Sequence, residues 1–161
     1  MQKMTACLSF DRNAEEAVKF YISVFKKNSK ILRISYYAKG AHRPEGTVLA
    51  ILFRLNGQEF LALNGGPEFK FNQAISMMVN CKTQAEIDKI WHKLSKGGKK
   101  IQCGWLKDKY GVSWQIVPEN VIRMISDPDQ KKADRVMQAV WEMVKLDIRT
   151  LEKAYKGARR A

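Results

Sequence analysis

Long apolar runs are missing from this chain. None approaches the roughly 20 residues that a membrane helix needs, and Met1–Phe10 has no signal-peptide core. A cytoplasmic protein with no membrane partner is the expectation. Cysteine is scarce: Cys7, Cys81 and Cys103 are odd in number, far apart and form no CxxC pair, which argues against a disulfide framework. Cys7 and Cys81 lie in apolar, strand-like runs and read as buried small hydrophobes. No paired carboxylates and no Cys–His arrangement supply an obvious acid–base centre.

Acidic residues are in deficit, 16 against 29 lysines and arginines, for a formal charge of +13. Such a balance raises the question of nucleic acid. The basic residues are scattered, however, as Lys26-Lys27, Lys99-Lys100, Lys107, Lys109, Lys131-Lys132 and Arg159-Arg160. No segment interleaves them with exposed aromatics along a phosphate-tracking stripe, so no specific nucleic-acid partner is expected. The hydrophobic fraction of 45% over 161 residues fits one globular domain, or two small halves sharing a core.

The most informative stretch is QCGWLKDKYGVSWQIVP, Gln102 to Pro118. Asp108-Lys109-Tyr110-Gly111 has the residues of an inter-strand turn, aspartate at one end and glycine at the other. The strand that returns, Val112–Val117, alternates faces. Val112, Trp114 and Ile116 share one side, and Ser113, Gln115 and Val117 the other. The pair Ser113 and Gln115 marks a site if that face lines a cavity, or an ordinary amphipathic strand if it faces water.

Around this stretch the chain repeats one pattern. A strand over Met4–Phe10 leads to a capping-box helix at Asn13-Ala14-Glu15-Glu16, with Ala17, Val18, Tyr21, Val24 and Phe25 on one stripe. Strands follow at Lys30–Tyr37, Thr47–Leu55 and Gln58–Leu63, the last two joined by Asn56-Gly57, a strong hairpin signal. A connector bearing Phe69 and Phe71 leads to a strand at Ala74–Asn80. A second capping box, Thr83 to Glu86, opens a helix with Ile87, Ile90, Trp91 and Leu94 on its stripe, closed by Gly97-Gly98. Three further strands, Lys99–Cys103, Trp105–Asp108 and Val112–Val117, complete a second β-α-β-β-β module. Beyond Pro118 the chain turns helical. A short stripe at Val121, Ile122 and Ile125 precedes a helix starting at Asp127-Pro128-Asp129-Gln130, with proline at the first helical position. A last helix runs from an Asp147 cap to Gly157, and the tail from Ala158 is expected to fray. The fold class is therefore α+β, with modules at about 1–66 and 73–118 and a helical extension at 119–157.

The segments AEEAVKFY, LNGGPEFKF, CGWLKDKYGVSWQIVP and DPDQKKADRVMQAVWEM resemble the PhnB-like proteins, described as 3-demethylubiquinone-9 3-methyltransferases, a branch of the vicinal-oxygen-chelate superfamily of glyoxalases and bleomycin-resistance proteins. The resemblance implies a curved, mostly antiparallel sheet around a cavity, with helices outside it, and a homodimer. It also implies a divalent metal held by His and Glu from module strands. Here Gln115 stands where many relatives carry the glutamate, and neither Thr5–Cys7 nor Ala74–Ser76 holds a histidine or carboxylate. A neutral amide is a weak ligand, and His42 and His92 fall in a loop and on a helix, so no metal and no cofactor are expected. The methyltransferase description finds no glycine-rich turn into a helix, since Gly65-Gly66 precedes Pro67.

The candidate ligand-binding residues are thus Gln115, Ser113, Trp105, Asn64, Phe69 and Phe71. Gln115 reads either as a ligand-facing amide or as a satisfied strand residue. Trp105 and Trp114 serve as stacking walls or as core, with Trp105 favoured for the cavity. Asn64 reaches a cavity mouth or simply precedes the Gly65 turn. Phe69 and Phe71 form an apolar lid or a subunit contact. Asp108 is a base or, more commonly, a turn cap. The favoured function is binding of a small, aromatic or oxygenated molecule, the alternative an enzyme of the superfamily acting on one.

Overall fold

The computed structural model describes residues 3–157, so the tail from Ala158 lies outside it. The chain divides at Lys70/Phe71 into two compact units.

The first unit contains β1 (Ala6–Phe10), α1 (Ala14–Phe25), β2 (Lys30–Tyr36), β3 (Val48–Leu55) and β4 (Gln58–Asn64). Its strands lie in the order β1-β4-β3-β2, with β1 parallel to β4 and the other pairs antiparallel. The core forms where the helical period meets the strand period. Ala14, Ala17, Val18, Tyr21 and Val24 of α1 are buried, as are Leu8, Phe10, Ile51, Phe53, Leu55 and Ala62 of the sheet. Asn56 and Gly57 both have positive φ, 48° and 94°, as a two-residue type I′ hairpin requires.

The start of α1 departs from the capping-box expectation. Asn13 makes no side-chain cap bond because its backbone, at φ −108° and ψ 22°, is not in the extended conformation from which a cap reaches back. The bond comes from far away in sequence. Asn64 at the end of β4 accepts from the Ala14 amide through Oδ1 at 3.0 Å.

The second unit repeats the topology with β5 (Met77–Cys81), α2 (Gln84–Ser95), β6 (Lys99–Lys100), β7 (Trp105–Lys107) and β8 (Ser113–Pro118), in the order β5-β8-β7-β6. Here β5 is the parallel partner of β8. Each module thus carries its own open four-stranded mixed sheet. The cap of α2 follows the sequence reading: Thr83 Oγ1 accepts from the Glu86 amide at 3.2 Å, and Glu86 Oε2 accepts from the Lys82 amide at 2.8 Å. β5 and β6 fall furthest short of the expected ranges. β5 begins only at Met77, after an Asx turn in which Asn72 Oδ1 accepts from Ala74 N. β6 stops at Lys100 because Cys103 and Gly104 adopt φ of 62° and 79°, and their amides donate to Met143 O and Val144 O instead of to a strand.

After Pro118 come α3 (Val121–Ile125), α4 (Gln130–Trp141) and α5 (Ile148–Lys156). Pro128 is not the first helical residue. Asp129 caps α4 through the amides of Lys131 and Lys132, leaving Asp127-Pro128 outside. Asp147 and Gly157 bound α5 as read, the glycine in the left-handed region at φ 70°. These helices close a small core of Val117, Val121, Met124, Val136, Val140, Leu146 and Leu151. They leave Trp141, Ile122 and Val144 exposed. No helix among the described residues is long and apolar enough to cross a membrane.

Candidate functional site

The two faces of β8 differ in what they meet. Trp114 and Ile116 are buried, as are Leu106 of β7 and the Ile87, Ile90, Trp91 and Leu94 stripe of α2. This is the helix-covered side. Asp108, almost fully buried in the turn before β8, holds it in place. Its Oδ1 accepts from the amides of Tyr110 (2.8 Å) and Val112 (3.0 Å), and its Oδ2 from Trp114 Nε1 (2.8 Å). The carboxylate therefore serves the fold as a turn cap, and it also anchors the tryptophan.

The opposite face carries the sequence candidates of this unit in two cross-strand rows. Trp105 on β7 lies opposite Gln115 on β8, with Met78 of β5 paired on the other side of Gln115. One step along, Ser113 is opposite Lys107, and Lys107 is opposite Lys99 on β6. Paired residues project to the same face. Gln115 and Trp105 are half-buried. Gln115 Nε2 donates to Ser76 Oγ at 2.8 Å, and its Oε1 takes no hydrogen bond among the described residues. Ser113 is only 1% exposed and donates a long bond, 3.4 Å, to Asn72 O. A cavity of about 600 Å³ opens over the second row, lined by Ser113, Lys107, Lys99, Phe71, Asn72 and Val144 among others. Phe71 flanks this cavity, beside Gly111. Gln115 and Trp105 stand next to its lining, not in it.

In the first unit Asn64 and Phe69 have other surroundings. Asn64 is buried, with Oδ1 on Ala14 N, Nδ2 donating to Val48 O at 2.9 Å, and its carbonyl accepting from Tyr37 Oη at 2.9 Å. Phe69 is 54% exposed and covers Gly65, where a Cβ would sit 3.2 Å from its ring. Asn64 lines a cavity of about 840 Å³, together with Gly65, Arg12, His42, Arg43 and Glu68 among others, and Phe69 is not part of that lining. Of this cavity's lining the sequence singled out Asn64 as a residue at a cavity mouth; the other walls come from loops distant in sequence and carry no local signal. Its charges are largely paired at home: Arg12 and Arg43 lie 3.7 and 3.4 Å from Asp11, and Glu15 lies 2.7 Å from Lys19. The Nε of Arg43 is buried without a partner among the described residues.

Thiol chemistry has little support. Cys81 is fully buried, and burial, aided by Glu86, pushes its pKa up to about 12. Cys7 corrects the expectation of burial. Leu8 and Phe10 take the helix side of β1, so Cys7 alternates to the open face and is exposed. Desolvation still raises its pKa, against a lowering hydrogen bond with Ser9. Among the described residues no three His, Cys, Asp or Glu side chains are grouped so as to hold a metal ion. His42 packs edge-on against Tyr37, and His92 is exposed on α2.

Two β-α-β-β-β units, each with an open mixed sheet, are the architecture of the vicinal-oxygen-chelate, or glyoxalase, fold. Fold likeness is seen with protein PA1353 from Pseudomonas aeruginosa (16% identity, 74% of this chain and 98% of that one, TM-score 0.60). It is seen also with the fosfomycin resistance protein FosX from Listeria monocytogenes, crystallised with Mn(II) and sulfate (11% identity, 76% and 98%, TM-score 0.50). The family model of the 3-demethylubiquinone-9 3-methyltransferases matches residues 2–117, and the chain belongs to this PhnB-like family. A PhnB protein from Bacillus cereus is 42% identical over 73% of this chain and 99% of its own, with a TM-score of 0.67. No curated protein matches. The helices α3–α5 lie beyond the family match.

Proposed function

We propose that this protein binds a small, flat, oxygenated molecule on the open face of its second sheet, without a tightly held metal. The observation that carries this reading is the pairing of Gln115 with Trp105 across β8 and β7, on the side away from α2. Trp105 offers an aromatic wall, and Gln115 Oε1 offers an acceptor that takes no hydrogen bond among the described residues. Binding without catalysis is favoured over an enzymatic role because, among the described residues, no titratable pair suited to proton transfer lies on that face. A methyltransferase role finds little help in Gly65-Gly66. Both amides donate to Phe10 O at the end of the first sheet, so they are not free to cradle a cofactor.

The test is Gln115→Leu, nearly equal in volume. Flat oxygenated aromatics are screened by thermal shift, and those that stabilise the parent protein should no longer stabilise the variant. Its ligand-free stability should stay within about 1 kcal/mol of the parent. Ligands that stabilise both proteins equally would remove Gln115 from the site. Turnover of any of them by the parent would favour the enzymatic alternative.

We propose further that the protein is a homodimer. Trp141 and Ile122 of the helical extension remain 61% and 49% exposed, an apolar surface that a second subunit would cover. Light scattering at micromolar concentration should give twice the mass of one chain, and a monomer mass would refute the proposal.

A further inference from the structure

Resting on the small-molecule reading of this same face, we infer that the ligand is an anion, held through a carboxylate or phosphate group by Lys99 and Lys107. Lys99 and Lys107 are directly paired on antiparallel strands, so their side chains leave the sheet side by side on one face. Like charges in that position destabilise a sheet unless something compensates them. Nothing among the described residues does so. Among the described residues Lys99, Lys100 and Lys107 form no ion pair, and no acidic side chain lines the cavity they border. Elsewhere on the chain several cations do find carboxylates, as Lys145 finds Asp88 and Arg54 finds Glu59. The lysines at this cavity are thus concentrated and uncompensated on a chain whose other basic residues are dispersed.

The row ends on Ser113, paired with Lys107 and 99% buried at the cavity wall. Its hydroxyl makes only the 3.4 Å bond to Asn72 O and can turn to donate to an oxyanion instead. Asn72, Gln73 and Gln102 add amide groups around the same space. Two ammonium groups, a hydroxyl donor and amides around about 600 Å³ suit an oxyanion. The neighbouring row, with Trp105 and Gln115, suits the flat, neutral remainder of the same molecule. Such a ligand is amphiphilic, with its charged group over β6–β7 and its ring towards β8 and β5.

Three small probes separate the possibilities by titration calorimetry: benzoate, phenyl phosphate and the neutral analogue benzamide. At least one of the anions should bind about tenfold more tightly than benzamide, the value of a charge-assisted hydrogen bond. Which anion prevails distinguishes carboxylate from phosphate. Lys99→Gln/Lys107→Gln should erase the preference, and Lys99→Arg/Lys107→Arg should keep most of it. The exposed pair Lys26→Gln/Lys27→Gln, with the same loss of charge, should change it less than twofold and so controls for the general field of a basic protein. Equal binding of benzamide and both anions would overturn the inference, as would no anion binding at all, or a preference that survives in the Lys99→Gln/Lys107→Gln protein. If benzamide binding depends on Gln115 while no anion preference exists, the small-molecule reading stands and only the anion inference falls. If the preference depends on the lysines while Gln115→Leu leaves all three probes unchanged, Gln115 is the error.

Discussion

Asp108→Ala should cost about 3–5 kcal/mol, the largest single-residue loss expected in the second unit. One carboxylate satisfies two turn amides and the indole of a buried tryptophan. Removing it takes away the acceptor that all three donors share, at a site that is 3% exposed. Each unsatisfied buried donor costs about 1–3 kcal/mol, with the lower figure for the Tyr110 amide, whose bond to Asp108 is only partly buried. Asp108→Asn should lose less, since Oδ1 can keep the two amides while Nδ2 confronts the indole N–H as donor against donor. Urea denaturation followed by tryptophan fluorescence measures both. An alanine variant within 1 kcal/mol of the parent would show that the turn holds without its cap.

Gly98→Ala should be nearly as damaging, for a steric reason. A Cβ there would stand 2.1 Å from Lys107 O and 2.9 Å from two backbone atoms of Asp108. The obstacle is main chain, which cannot swing aside as a flexible side chain does, so β6 must part from β7. A loss of about 3 kcal/mol, the upper end for overpacking, is expected. Because the Lys99–Lys107 pairing belongs to that hairpin, any anion preference should vanish with it. Gly40→Ala is the control: its φ is +85° but nothing lies within 4 Å of the added methyl, so only backbone strain of about 1 kcal/mol applies. Equal midpoints for the two variants would mean that the hairpin yields more readily than its geometry implies.

Patterns confined to a few residues were the ones legible in the sequence. The stripes of α1 and α2, the Asn56-Gly57 turn and the Thr83 cap are all settled by neighbours within one helical turn or one hairpin, and they appear as read. The alternation of β8 placed Trp114 on the helix side and Gln115 on the other, as the pairing of Gln115 with Trp105 reflects. What escaped depends on contacts across long sequence separation. Nothing near Asn13 announces that Asn64 takes over its cap. Local apolar content suggested that β6 would continue to Cys103, but the amides of Cys103 and Gly104 are drawn to the segment after α4. The Lys99–Lys107 row needed the register, which the sequence does not print, and so read as two more scattered charges.

The bond from Asn64 to Ala14 has a bearing on how the first unit comes apart. β1 and β4 are neighbours only because the chain returns after some fifty residues, and the last residue of β4 also closes the first turn of α1. Detaching β4 therefore uncaps the helix, exposes the parallel edge of β1 and frees the Tyr37 hydroxyl from the Asn64 carbonyl in a single event. Fraying from either end is coupled to the other, so the unit should open as one cooperative block and not strand by strand. During synthesis the helix stays without its cap until β4 has been made, so the final strand of the module acts as the latch for the element made second.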